Sequence, residues 1–78
     1  MSWNYRVVRR EFPNGSVMWG IHEVYYDYNG EADSCTDDPV RIEEFSLNDL
    51  GATVKRLRRA LREPVLEYAD FEAMEAAP

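Results

Sequence analysis

The sequence contains a single cysteine and a single histidine among its 78 residues, and it has no long apolar run. Cys35 lacks a second cysteine for an intramolecular disulfide, and no basic, apolar and cleavage-site regions combine into a signal peptide. Both features favour a reducing, cytoplasmic compartment. Because no apolar run approaches the ~18 residues needed to span a bilayer, we expect a soluble protein.

Two stretches each lack charges of one sign, although the net charge of the whole chain is −6. Residues 50–62 carry five basic side chains and no acid, whereas residues 63–78 carry five acids and no base. Residues 27–49 hold eight acids against Arg41 alone. Charge blocks of this kind favour either neutralisation within the fold or a charged partner.

The length allows one small domain, since a chain of this size buries only about 60% of the surface that its unfolded form exposes. Hydrophobic residues make up 45% of the chain and charged residues 31%, which is typical of globular proteins rather than disordered ones. No repeat or long linker divides it. We therefore predict a single domain over residues 1–71, with residues 72–78 as a flexible acidic tail.

Turn residues divide the first half of the chain into three predicted strands. Residues 3–12 and residues 17–28 are rich in aromatic and β-branched side chains, and each stretch is followed by an Asn-Gly pair, which favours a tight hairpin turn. A third strand is expected between Ala32 and Glu44. Pro39 cannot donate a ladder hydrogen bond, so this strand must lie at an edge or end there.

A helix is predicted after Ser46, because Ser46 with Asp49 resembles a capping box. Five apolar residues at helical spacing form one stripe that we expect to face the core: Leu47, Leu50, Val54, Leu57 and Leu61. Pro64 ends the helix. Residues 65–71 alternate partly, and we expect them to run as an extended segment against the core.

A two-residue Asn14-Gly15 turn would place Arg6 opposite Glu23 as a charge pair and Arg10 opposite Trp19 as a cation–π pair. Both faces of that hairpin would be largely apolar, and one helix covers only one face. The second face would then be covered by the C-terminal segment, by a second copy of the chain, or by a foreign partner.

The His-Glu pair at 22–23 is the most suggestive chemical feature. It does not fit the zinc-protease pattern HExxH, because position 26 is tyrosine and adjacent strand residues point to opposite faces. A two-residue turn at Asn29-Gly30 would set His22 opposite Asp37 and Val24 opposite Cys35. Such a trio could form a metal site or an activated nucleophile, but we favour a structural histidine beside a carboxylate.

The basic side of the predicted helix is the sharpest functional lead. Lys55, Arg59 and Arg62 lie in one stripe away from the apolar residues, with Arg56 and Arg58 at its flanks, and only Glu63 lies within helical reach of Arg59. Acids elsewhere in the chain, solvent, an acidic protein or a nucleic-acid backbone could balance these charges. An acidic sequence overall disfavours nucleic acid.

The chain also resembles a family of small, uncharacterised bacterial proteins. The resemblance rests on WNYRVV at 3–8, IHEVYYD at 21–27, TDDPV at 36–40 and ALREPVLEYADF at 60–71. It implies a compact bacterial domain to which residues 65–71 belong. No activity is assigned to that family, so the resemblance implies no catalytic residue.

Together these features predict an α+β domain: a three-stranded antiparallel meander, one helix on one face, and a C-terminal extended segment. We expect a non-catalytic, cytoplasmic protein-interaction module that binds an unknown protein partner or a second copy of itself, without cofactor or metal. A nucleic-acid-binding domain is the alternative, and an enzyme or metal protein using His22, Asp37 and Cys35 is the third hypothesis. The candidate partner-binding residues are Arg10, Trp19, Tyr25, Lys55, Arg56, Arg59 and Arg62.

Overall fold

A computed structural model describes residues 2–71 of the chain. The elements are β1 (Ser2–Glu11), β2 (Val17–Tyr26), β3 (Ala32–Cys35), α1 (Leu47–Ala60) and β4 (Leu66–Glu67). They confirm an α+β fold with the predicted β1–β2–β3 meander and helix. The proposed tail at 72–78 lies outside the described residues.

The sheet has four strands in the order β3-β2-β1-β4, so the expectation of three antiparallel strands was incomplete. β4 pairs in parallel with β1, through Val8 with Leu66 and Arg9 with Glu67. Residues 65–71 were predicted to be extended throughout, but the chain turns into a helical conformation at Tyr68. β3 is an edge strand that ends before Pro39, as expected.

The first hairpin has a different register from the predicted one. Its loop holds three residues, because the Phe12 amide donates to the Ser16 carbonyl (2.9 Å) and the Gly15 amide donates to the Phe12 carbonyl (2.9 Å). Gly15 has φ +88°, whereas Asn14 keeps a negative φ, so the two-residue turn with two positive φ values does not form. Pro13, whose ring fixes φ near −65°, fits the first central position of the turn that forms instead.

The extra loop residue shifts the pairing by one, and a one-residue shift exchanges the faces of one strand relative to the other. Arg6 lies opposite His22, and Arg10 lies opposite Met18. The predicted pairs of Arg6 with Glu23 and of Arg10 with Trp19 are therefore wrong. Arg9 takes the place of Arg10 beside Trp19, with 5.8 Å between its guanidinium carbon and the ring centroid.

The second hairpin also has a three-residue loop, with Gly30 at φ +78°. The Asp27 amide donates to the Glu31 carbonyl, and the Gly30 amide donates to the Asp27 carbonyl. The β2–β3 register shifts by one residue between Tyr25 and Tyr26. Beyond this shift, the residues pair as they would after a two-residue loop. Val24 consequently pairs with Cys35, as predicted.

The two faces of the sheet are covered by different parts of the chain. On the face with the even-numbered residues of β1 and β2, Val8 and Val24 are fully buried beneath Tyr68 and Phe71. The C-terminal segment of the same chain thus covers the even-numbered face. On the odd-numbered face, the last turns of α1 lie beside Trp3 and Tyr5.

The helix starts as predicted, since the Ser46 hydroxyl accepts a hydrogen bond from the Asp49 amide (3.1 Å). Its buried side is nevertheless formed by Thr53, Leu57 and Ala60. The centre of that side lies roughly 70° around the helix from the centre of the predicted stripe, at about 100° per residue. The expectation that the whole stripe faces the core was wrong.

Within the described part of the chain, no helix has both the length and the apolarity required to cross a bilayer.

Candidate functional site

An apolar seam runs along the outside of α1. Leu47, Val54 and Leu61 recur every seventh residue and are 82%, 49% and 69% exposed, respectively. Leu50 and Leu57 lie three residues after the first two of them, so the set has the spacing of a coiled-coil heptad. The seam is not covered by the described part of the chain, although it consists of the side chains that usually form a core.

Further apolar side chains are exposed at the start of the seam. Phe45 is fully exposed and Ile42 is 65% exposed, in the segment that leads into α1. This segment is held to the helix by Thr53, whose buried hydroxyl donates to Oε2 of Glu44 at 2.9 Å. The exposed apolar surface therefore continues from the helix onto a segment with a defined position.

The two ends of the seam carry opposite charges. Glu43 and Glu44 precede the helix, whereas Arg58 and Arg62 lie near its carboxyl end. Glutamates near the start and arginines near the end also complement the helix dipole. The seam is thus apolar along its length, acidic at one end and basic at the other.

The basic side chains predicted as a binding stripe, Lys55, Arg56, Arg59 and Arg62, are all exposed. Residues 2–71 contain two ion pairs, Arg9 with Glu67 and Arg41 with Glu43, and neither involves α1. Glu43 and Glu44, which precede the helix, contact Arg41 and Thr53 rather than the basic stripe. Four cations border one shallow depression of about 260 Å³: Lys55, Arg58, Arg59 and Arg62.

The predicted surface formed by Arg10, Trp19 and Tyr25 is not a single surface. Trp19 and Tyr25 share the odd-numbered face and are 62% and 37% exposed. Arg10 lies on the opposite face, because the register differs by one residue. Its guanidinium carbon is 3.8 Å from the ring centroid of Tyr68, and its Nη1 donates to the Asp37 carbonyl at 3.2 Å. Arg10 therefore belongs to the packing of the C-terminal segment.

Tyr25 makes a local polar contact on the exposed odd-numbered face. Its hydroxyl donates to Oε2 of Glu23 at 2.8 Å. This hydrogen bond to a carboxylate, more than desolvation, raises the pKa of Tyr25 above its usual value. The phenol therefore remains a hydrogen-bond donor throughout the neutral range.

His22 is a buried side chain, 3% exposed. Its Nδ1 lies 2.8 Å from the carbonyl oxygen of Thr36, which can only accept, so Nδ1 carries the proton of that hydrogen bond. Its Nε2 faces Gly20 closely enough that a Cβ added there would lie 3.4 Å away. Nδ1 is thus engaged by a backbone carbonyl, and Nε2 lies in the space beside Gly20.

The carboxylate predicted to lie opposite His22 contacts a different residue. Oδ1 of Asp37 accepts a hydrogen bond from the Tyr68 hydroxyl (3.2 Å), and the Tyr68 ring lies 6.3 Å from the His22 ring. The ladder pairs of β2 and β3 end at Val24 with Cys35, so His22 and Asp37 do not form the expected pair. Burial raises the pKa of Tyr68, Arg10 opposes that rise, and the hydrogen bond to Asp37 adds to it.

Cys35 packs half-buried against the core cluster, next to its strand partner Val24. Its thiolate form would raise the pKa of Tyr68, which places Cys35 near the same cluster. Residues 2–71 contain no group of three or more histidine, cysteine, aspartate or glutamate side chains arranged to hold a metal ion. The trio proposed from the sequence is thus distributed around Tyr68.

Sequence reasoning missed two features of these surfaces. It assigned Leu47, Val54 and Leu61 to the core, although the small Thr53 and Ala60 on the neighbouring side indicate where the helix approaches β1. It also gave no role to Trp3 and Tyr5, which line a cleft with the end of α1. Their position on the free edge of β1 depends on the length of β4, for which the sequence offers no signal.

Comparison with known proteins adds no relative: no family model matches the chain, and no curated protein or solved structure matches it significantly.

Proposed function

We propose that the protein is a non-catalytic protein-interaction domain that works as a homodimer paired through α1. The exposed apolar seam of Leu47, Val54 and Leu61 is the observation that carries this proposal. A contiguous apolar surface on a small domain marks a binding site, since water is a poor environment for it. The burial of His22 and the engagement of its Nδ1 with Thr36 support the non-catalytic part.

The heptad spacing favours another helix as the occupant of the seam. In an antiparallel pair related by a two-fold axis near Val54, Leu47 of one copy would pack against Leu61 of the other. A two-fold interface uses the same patch twice, so each contact is made two times. Phe45 and Ile42 would extend the interface at both ends.

The charges favour a second copy over an unrelated helix. Antiparallel pairing brings the acidic end of one seam, with Glu43 and Glu44, towards the basic end of the other, with Arg58 and Arg62. Parallel pairing would place like charges together and is disfavoured. The chain therefore carries both halves of a complementary interface on one helix and its leading segment.

Light scattering during size-exclusion chromatography tests the proposal. We expect the unmodified protein to have twice its chain mass of 9.1 kDa. Val54→Glu places two carboxylates near the two-fold axis and should give a monomer. Ala52→Glu, which adds the same charge to an exposed position on another side of α1, should stay dimeric.

A charge reversal provides the second arm of the test. Arg62→Glu should weaken the dimer, whereas Arg56→Glu, an equal charge change on another side of the helix, should have a smaller effect. A monomeric unmodified protein at millimolar concentration would contradict the proposal. So would a dimer that Val54→Glu leaves intact.

Nucleic acid binding is the second candidate function. The depression bordered by Lys55, Arg58, Arg59 and Arg62 supports it, because clustered cations that form no ion pair with any of residues 2–71 suit a phosphate backbone. The net charge of −6 opposes attraction over the rest of the surface. In a gel-shift titration with a single-stranded oligonucleotide, this function requires binding that weakens as the salt concentration rises. The double variant Arg58→Gln, Arg62→Gln should not bind.

A further inference from the structure

A second surface lies between the start of β1 and the end of α1. A cleft of about 470 Å³ opens there, lined by Trp3, Asn4, Tyr5, Arg56, Arg59, Ala60 and Glu63. Trp3 and Tyr5 form one wall, with their rings edge to face at 5.3 Å. Arg56 and Arg59 form the facing wall. The cleft lies on a different side of α1 from the apolar seam, so it is independent of the proposed dimer.

The free edge of β1 borders this cleft. β4 pairs with β1 only at Val8 and Arg9. Arg6 ties down the approach to β4 by donating from Nη2 to the Pro64 carbonyl at 2.7 Å. Within the part of the chain that the structure describes, residues 2–5 of β1 therefore have a strand neighbour on the β2 side only. Their outward-facing backbone groups can accept a further strand.

The charges at the cleft define the chemistry of such a strand. Neither Arg56 nor Arg59 belongs to an ion pair among residues 2–71. Among residues 2–71, Glu63 is the one acid that lines the cleft, so the described lining carries a net positive charge. A guanidinium binds a carboxylate through two parallel hydrogen bonds, which makes carboxylate side chains the natural partners.

We propose that this cleft binds an acidic peptide in extended conformation, which adds as a strand to the edge of β1 at residues 2–5. Backbone hydrogen bonds to this edge would hold the peptide. Because strand side chains alternate between faces, every second residue would point towards α1. Carboxylates at those positions meet Arg56 and Arg59, and their methylene groups contact Trp3 or Tyr5, which line the same cleft. The side chains between them point to the opposite face of the sheet. This is strand addition with specificity from alternate side chains.

Fluorescence anisotropy with a labelled probe tests the site. The probe is a hexapeptide of alternating valine and glutamate, blocked at its amino terminus, and the control peptide has lysine in place of glutamate. We expect the full-length protein to bind the glutamate peptide and not the lysine peptide. Arg56→Gln or Arg59→Gln should weaken binding by about tenfold or more, as for a lost charge-assisted hydrogen bond. Arg41→Gln removes the same charge from an exposed side chain outside the cleft and should change affinity by less than about twofold.

Two further measurements separate strand addition from charge attraction. Amide resonances of residues 2–5 should shift on binding, and a peptide methylated on its backbone nitrogens should bind far more weakly. An equal loss of affinity in Arg41→Gln and Arg59→Gln would overturn the proposal. It would also be overturned if the methylated peptide bound as tightly as the unmodified one. Binding of a thymidine octanucleotide but not of the glutamate peptide would assign the cleft to nucleic acid instead.

Discussion

At the scale of single residues, Tyr68 links the C-terminal segment to the sheet and gives the fold a pH dependence. Its ring packs in the core with Val8 and Val24, and its hydroxyl donates to Asp37. Burial raises the pKa of this phenol above its ordinary value, so the folded state holds the proton more tightly than the unfolded chain. The stabilisation is complete below the unfolded pKa of about 10 and is lost as pH rises through the higher folded pKa.

We therefore expect the free energy of unfolding to fall as the pH rises above about 10. Tyr68→Phe should reduce this loss of stability at alkaline pH, because phenylalanine has no hydroxyl to titrate. It should also lower the free energy of unfolding at pH 7 by about 1 kcal/mol, because the hydrogen bond to Asp37 is missing. Urea unfolding of both proteins at a series of pH values measures the effect. Tyr25→Phe is the matched control, because Tyr25 also has a raised pKa but is partly exposed and outside the core. An alkaline loss of the same size in Tyr68→Phe and the unmodified protein would contradict this prediction.

At the scale of elements, the start of α1 depends on one side chain. Ser46 has extended backbone angles and accepts from the Asp49 amide, as an N-cap residue does. Ser46→Ala should lower the free energy of unfolding by about 1 kcal/mol, and Ser46→Asp should retain most of the stability. Urea unfolding followed by circular dichroism at 222 nm measures both. Equal stability of the alanine and unmodified proteins would show that the cap contributes nothing.

The existence and chain order of β1, β2, β3 and α1 could be predicted because their signals are local, whereas the parallel pairing of β4 with β1 was not predicted. Asn-Gly pairs mark the turns, Ser46 marks the helix start, and Pro39 marks an edge strand. The register of the first hairpin could not be predicted, because Asn14-Gly15 is compatible with loops of two and of three residues. The choice depends on whether Asn14 or Pro13 takes the first central position of the turn, and proline fits that position better. That single difference moved Arg10 away from Trp19.

The rotation of α1 escaped prediction for a different reason. Periodicity identifies an apolar stripe but does not say what covers it. Here Thr53 and Ala60, which are small, face β1, and the larger Leu47, Val54 and Leu61 remain outside. The side chains of the predicted basic stripe are exposed. The cleft was not foreseen, since it joins residues more than fifty positions apart in the chain.

At the scale of the whole molecule, the small core and the exposed seam both favour association with another molecule. A chain of 78 residues buries limited apolar surface, so much of its apolar side-chain area remains available for association. If a second copy covers the seam, folding and association are coupled by mass action. Stability should then depend on protein concentration.

A tenfold rise in concentration adds about 1.4 kcal/mol to the apparent stability of a dimer that unfolds to separate chains. With urea slopes of about 1–3 kcal/mol per M, the unfolding midpoint should rise by roughly 0.5–1.4 M for each tenfold increase. Val54→Glu should have a lower midpoint that does not change with concentration, whereas Ala52→Glu should follow the unmodified protein. A midpoint of the unmodified protein that stays constant from micromolar to hundreds of micromolar would show that the chain folds without pairing. The exposed seam would then require a foreign helix as its partner.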